Sequence, residues 1–255
     1  MAGTDLYLYG VVRSDRPLPS ALGGVGSPPE QLRLVSAGST AAVVSAAPPG
    51  LRARRRDLLA HRDLLLALAD GGLPVLPMRF GSVAPDEETV RKELVAAESS
   101  HLESLERVAG RHELNVKAAV TEDGMAMLLR EDPHVRRLRD EVRRSPGYDA
   151  SIRLGEAVAA GLQDRARRAA GEVMGDLAVL AVESAEGPVP AVHDSVRSTS
   201  FLVDAERQDA FRAAAERLAT RHREALVLRV TGPLPCYSFV SETASSGRRA
   251  AAEAV

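Results

Sequence analysis

Tryptophan is absent from this 255-residue chain, and aromatic residues make up only 3% of it. An apolar interior must therefore come from alanine, leucine and valine, a composition that favours helices packed closely against sheets. A single cysteine, Cys236, excludes an internal disulfide and suits a reducing compartment. Lysine is confined to Lys92 and Lys117, and neither sign of charge dominates: 33 basic residues face 35 acidic ones, for a net charge of −2. That balance argues against a dedicated nucleic-acid binder, whose phosphate contacts need a concentrated basic face. No uncharged apolar run reaches the ~18 residues of a membrane span, and Met1–Gly10 lacks the basic start and long apolar stretch of a signal peptide. The expectation is a soluble, cytoplasmic protein that does not engage membrane.

The usual signatures of catalysis are also missing. The six histidines (His61, His101, His112, His134, His193 and His222) include no i,i+4 pair and no His-Glu-x-x-His string. His193-Asp194-Ser195 has the letters of a hydrolase triad. Consecutive residues of an extended segment point to opposite faces, however, and cannot form that relay. Gly23-Gly24-Val25-Gly26 lacks the Lys-Ser/Thr that completes a phosphate-binding loop, and reads as a mobile connection. No catalytic, cofactor-binding or metal-binding residue is assigned.

What is present is an ordered series of α and β patterns. Leu6–Val12 alternates as a strand, and strands near Leu32–Ser36 and Thr40–Ser45 flank a turn at Ala37-Gly38-Ser39. A helix from about Leu51 to Ala69 stops at Gly71-Gly72, before a strand over Leu73–Met78. Asp86–Val108 reads as one long helix with a Val90, Leu94, Ala97, Leu105, Val108 stripe. Beyond it, Leu114–Val120, Tyr148–Met174, Leu177–Glu183, Val196–Val203, Ala205–His222 and Ala225–Val230 spell β-α-β-β-α-β, the ferredoxin-like split motif, with an extra helix near Met125–Arg143. The fold class expected is α+β with two domains. An N-terminal α/β unit (1–84) and a bridging helix (85–111) precede a C-terminal ferredoxin-like domain (112–241, helical insertion near 125–143), and 242–255 is a disordered tail.

Two proline-bracketed strands end in stiff corners: Leu73-Pro74-Val75-Leu76-Pro77-Met78-Arg79-Phe80-Gly81, and Leu228–Val240 with Gly232-Pro233-Leu234-Pro235. They read as shaped surface, which biases the function toward binding. Arg79, beside Phe80, is suited to hold a carboxylate bidentately, within the chain or on a partner. Tyr237 and Phe239 are suited either to an interdomain seam or to aromatic anchoring. Arg54 and Arg55, in a basic cluster at a helix start, are either a solvated face or a docking patch for an acidic segment. Arg79, Phe80, Arg54, Arg55 and Tyr237 are thus the candidate contact residues.

The same strings carry a family resemblance. Leu6-Tyr7-Leu8-Tyr9-Gly10-Val11-Val12, Ala41-Ala42-Val43-Val44-Ser45, Val75–Val83, Asn115-Val116-Lys117, Phe201-Leu202-Val203-Asp204, Thr231-Gly232-Pro233 and Tyr237-Ser238-Phe239-Val240 follow one another as in the gas vesicle synthesis proteins of the L/F type (the GvpL/GvpF family), which the chain resembles over nearly its whole length. The resemblance implies a non-enzymatic accessory or minor structural protein of gas-filled, protein-walled organelles. It further implies association with the vesicle, and contacts with the gas vesicle shell protein and other accessory proteins. A ferredoxin-like module that binds a ligand, or acts as an enzyme, is the alternative, because fold does not imply function.

Overall fold

The computed structural model describes residues 5–19, 22–188, 195–240 and the backbone of 248–249. The chain divides into two compact units, residues 1–113 with 233–255, and residues 114–232.

The first unit is built on a mixed-length sheet in the order β10-β5-β1-β3-β2, with β4 also pairing with β1. Its strands are β1 (Leu6–Arg13), β2 (Arg33–Ala37), β3 (Thr40–Ala46), β4 (Leu76–Pro77), β5 (Ser82–Ala84) and β10 (Arg248–Arg249). β2 and β3 form the expected hairpin, with Ala37 opposite Thr40 around Gly38-Ser39. Helix α1 (Arg55–Asp70) ends at the expected Gly71-Gly72: Gly72 N–H bonds the Ala69 carbonyl (3.0 Å) and Leu73 N–H that of Leu68 (3.0 Å), a Schellman closure.

Both faces of this sheet are covered. Leu6–Val12 is buried throughout, as happens when a strand is packed on two sides. Tyr7, Tyr9 and Val12 join α1 through Leu64, Leu65 and Leu68. A register shift between Leu8 and Gly10 lets Tyr9 and Val12 share that face although they are an odd number of residues apart.

The segment expected as one bridging helix is two helices, α2 (Glu87–Ala96) and α3 (Glu98–Val108), and both contact this sheet. Val90, Leu94, Leu105 and Val108 are buried as the stripe implied, together with His101 and Ser104. Ala97 leaves helical geometry (φ −113°, ψ 11°), and the Glu98 carboxylate bonds the Ser39 amide of the β2–β3 turn (2.6 Å).

The Gly23–Gly26 loop, expected to be mobile, is packed. Val25 is fully buried and donates its N–H to the Tyr9 hydroxyl (2.8 Å), while Gly24 N–H bonds the Glu30 carbonyl (2.8 Å). Gly24 is needed for this approach, because a Cβ there would lie 2.3 Å from the Tyr9 oxygen. Packing against a tyrosine from a distant strand overrides the local freedom of three glycines.

The second unit carries a four-stranded sheet, order β7-β8-β6-β9, formed by β6 (Arg111–Val120), β7 (Glu183–Glu186), β8 (Ser195–Asp204) and β9 (Leu226–Leu234). Helices α6 (Tyr148–Ala178) and α7 (Gln208–Arg221) supply its core with Ala166, Ala170, Val173, Leu177, Phe211 and Ala215 against Leu114, Val116, Phe201 and Val203. Phe201 and Phe211 lie 5.3 Å apart, ring to ring. The strand expected over Leu177–Glu183 is shorter and later. Leu177 continues the apolar helix stripe of Val173 and Met174, so a short apolar run that either structure could use goes to the helix.

The expected 125–143 helix is likewise split into α4 (Met125–Glu131) and α5 (Pro133–Arg144). Pro133 cannot donate a helical hydrogen bond, and the Asp132 carboxylate caps the new start through the amides of His134 (2.8 Å) and Val135 (3.2 Å). His193 and Asp194 lie outside the described residues. So does the 242–255 tail apart from 248–249, which pairs with β5.

Candidate docking corner

β4 and β5 run antiparallel to the same strand, β1, at opposite ends. Leu76 and Pro77 oppose Val11 and Gly10, while Val83 and Ala84 oppose Tyr7 and Leu6. Residues 78–82 must cross the stretch that Leu8 and Tyr9 cover on β1, so the chain is forced outward. Met78 N–H still bonds the Tyr9 carbonyl (2.8 Å), and the excursion closes as a turn from Arg79 O to Ser82 N–H (3.1 Å). The Ser82 hydroxyl donates to the same Arg79 carbonyl (2.8 Å). Gly81, third in that turn, has φ +85°, as a type II turn requires there.

A buried polar chain fixes the corner from beneath. Gly81 N–H donates to the Tyr7 oxygen (3.2 Å), Tyr7 O–H donates to His61 Nδ1 (2.9 Å), and His61 Nε2–H donates to the Met78 carbonyl (2.9 Å). The Met78 carbonyl needs a donor, which sets the imidazole tautomer and leaves Nδ1 to accept. His61, on α1, is 2% exposed, and burial lowers its pKa to about 4. Burial, above all, also pushes the Tyr7 phenol well above its ordinary value. Tyr9 is pinned alongside: Val25 N–H donates to it, it donates to Ser45 Oγ (3.0 Å), and Ser45 donates to the Ala46 carbonyl (2.9 Å). The rings of Tyr7, Tyr9, His61 and Phe80 sit within 6.0 Å of one another in successive pairs. Phe80 is half-buried and anchors the corner with edge contacts to Tyr7 and His61.

Arg79 projects from this fixed backbone. It is exposed, and its side chain makes no hydrogen bond or ion pair among the described residues. Of the two readings open in the sequence, the internal carboxylate clamp therefore finds no support. Arg54 and Arg55 are exposed at the start of α1, Arg54 at the cap position without a side-chain cap. They stand roughly 9 Å upstream of His61 at 1.5 Å of helix rise per residue. The next arginine, Arg56, pairs with buried Asp57 (3.3 Å).

Tyr237 opens a short 3₁₀ turn, Tyr237–Phe239, held by Glu113: its carboxylate accepts from Ser238 N–H (2.9 Å) and Ser238 Oγ (2.7 Å). Arg107 donates to the Phe239 carbonyl (2.7 Å), and Phe239 is buried. Tyr237 keeps 39% of its surface exposed, yet partial burial and then Glu113 raise its phenol pKa, and its own charge raises that of Tyr7. Cys236, buried beside it, has its thiol pushed up to about 12 by burial and by Glu113, so it is not a reactive thiolate at neutral pH.

Phe80 and the Arg79 turn thus gather around Tyr7, with Arg54 and Arg55 on the adjoining helix start. The sequence pattern did not single out Tyr7, His61 or Glu113. The spacing of His61 with Leu64, Leu65 and Leu68 is a signal that could have marked it as inward-facing, whereas the Glu113–Ser238 bond spans positions far apart in the chain.

Known proteins match this chain along nearly its whole length. A family model described as gas vesicle synthesis protein GvpL/GvpF matches residues 5–241. A gas vesicle protein F of Streptomyces sp. (strain CB03234) is 40% identical over 238 residues, covering 92% of this chain and 98% of that protein. A gas vesicle protein L of the same organism is 31% identical over 273 residues, covering 95% and 97%. The crystal structure of the gas vesicle protein GvpF from Anabaena sp. PCC7120 shares the fold, with a TM-score of 0.75 at 23% identity over 93% of this chain and 98% of that one. A match that runs from the first strand to the Tyr237–Phe239 turn, with a 40% identical relative of equal extent, means that the chain belongs to the gas vesicle synthesis protein GvpL/GvpF family.

Proposed function

We propose that this protein is a non-enzymatic accessory or minor structural component of gas vesicle formation, and that it binds the shell protein and other assembly proteins through the Arg79 corner. Membership of the GvpL/GvpF family supports the role in gas vesicle formation. The observation that carries the contact assignment is the exposed Arg79 guanidinium, without a hydrogen bond or ion pair among the described residues, on a backbone held by the Tyr7–His61–Met78 chain. A charged donor fork presented without an internal partner, on a backbone already ordered, loses little further entropy on binding. Phe80 supplies aromatic surface beside it, Tyr237 is a further exposed aromatic contact residue, and Arg54 and Arg55 extend the positive charge toward an acidic partner segment.

The protein works in the cytoplasm, attached to the vesicle or its precursors. The 114–232 unit is a ferredoxin-like domain, a reading supported by the strand order β7-β8-β6-β9 with α6 and α7 in the two crossovers. No helix among the described residues is long and apolar enough to cross a membrane. A pull-down with purified shell protein tests the reading. Wild type should retain the shell protein, and Arg79→Ala and Tyr237→Ala should weaken retention. No retention by wild type removes the shell protein as a partner, and unchanged retention by both variants removes the corner as the contact.

A further inference from the structure

The first unit contains a cavity of about 480 Å³ between its sheet and the α2–α3 pair. Leu8, Val11 and Ala42 form its floor, and Val90 and Leu94 of α2 form one wall. It is about half open to solvent, a groove rather than a sealed void. Here the space persists because small side chains, Ala42 on the sheet and Ala96 and Ala97 at the helix interruption, border it. Its size and mainly apolar lining are those of small-ligand pockets.

His101, which with Ser100 borders the cavity from the first turn of α3, distinguishes it from a packing defect. The residue is 4% exposed, and neither ring nitrogen has a hydrogen-bond partner among the described residues. Buried polar groups are ordinarily satisfied, and an orphaned imidazole needs an explanation. Burial lowers its pKa, so the ring is neutral and offers one donor and one acceptor. Glu93, exposed at the rim, sets a negative charge there that disfavours anions.

We propose that this cavity binds a neutral, largely apolar small molecule through one hydrogen-bonding group, such as a hydroxyl, that meets His101. A hydroxyl both donates and accepts and so matches either ring nitrogen, while an alkyl body covers Leu8, Val11 and Leu94. Met78, the first residue of the Arg79 corner, also borders the pocket, but the proposal does not rest on shell-protein binding.

The experiment uses the full chain and 1-aminoanthracene, a neutral fluorescent probe, displaced by 1-octanol or by octanoate. Wild type should bind the probe saturably and release it to 1-octanol, with octanoate at least about tenfold weaker, the cost of bringing a charge to an apolar site beside Glu93. His101→Phe keeps the ring volume and removes both nitrogens. It should fold as well as wild type and lose about tenfold in 1-octanol affinity, the value of one hydrogen bond. Ala97→Met should fill the space and abolish probe binding while the circular dichroism spectrum is retained. Absence of saturable binding by wild type overturns the proposal, as does equal 1-octanol affinity in wild type and His101→Phe, or octanoate binding as tightly as 1-octanol. Should His101→Phe not fold, undiminished probe binding by folded Ala97→Met overturns it alone.

Discussion

Acid should weaken the first unit through His61. An unfolded histidine takes its proton near pH 6.5, whereas burial delays protonation of native His61 to about 4. Between these values the unfolded chain binds more protons, so stability falls as pH falls through that window; above it the ring is neutral in both states, and below it the loss is complete. The displacement of about 2.5 pH units corresponds to a full loss of about 3 kcal/mol, of which about 2 kcal/mol has accrued by pH 5. The structural reason is specific: a protonated Nδ1 can no longer accept the Tyr7 hydroxyl. His61→Phe is the reference. Its baseline is lower at every pH because Tyr7 and the Met78 carbonyl each lose a partner, and the quantity to compare is the pH slope. Urea unfolding followed by circular dichroism at pH 7.5, 6 and 5 should find wild type losing about 2 kcal/mol more than the variant across that range. Other carboxylates and His101 are common to both proteins and cancel. Equal losses would refute the reasoning, as would an NMR titration placing His61 near 6.5.

Gly81→Ala places a Cβ at φ +85°, where no atom lies within 4 Å, so its cost is backbone strain of about 1 kcal/mol, read as a lower urea midpoint, with weaker shell-protein retention because the corner shifts. Arg79→Ala removes an exposed side chain without partners among the described residues and should leave stability within about 0.5 kcal/mol, so that any loss in the pull-down reports the contact itself. Phe211→Ala opens the second unit's core against Phe201 and should cost about 3–5 kcal/mol in denaturant unfolding. Glu113→Ala withdraws the carboxylate from Ser238 and should destabilise by about 2 kcal/mol, with faster proteolysis near Tyr237 as an independent readout.

Much of the architecture was legible as periodicity. β1, the β2–β3 hairpin, α1 with its glycine stop, and the α7–β9 sequence all follow from patterns that local chemistry enforces. Boundaries failed where two local tendencies competed. Leu177 could extend α6 or begin a strand, and packing with Val173 and Met174 chose the helix. Pro133 was visible within the expected 125–143 helix, but the break there was settled by Asp132 turning back as a cap. The corner was legible as an outward turn from Pro77 and Gly81, and Arg79 as its charged tip. The bonds that fix it were not, because they join Tyr7, His61 and Met78 from three separate elements.

By itself the amino-acid order determined the α+β class, the absence of a membrane-length run, the family resemblance, and which short segments would turn sharply. These follow from backbone rules and side-chain periodicity acting over a few residues. Tertiary structure alone decided that the glycine-rich loop is packed under Tyr9, and that among the described residues Arg79 meets no carboxylate and His101 borders a cavity without a hydrogen-bond partner. Such outcomes depend on which distant atoms arrive within about 3 Å of one another, the range over which hydrogen bonds and close packing act.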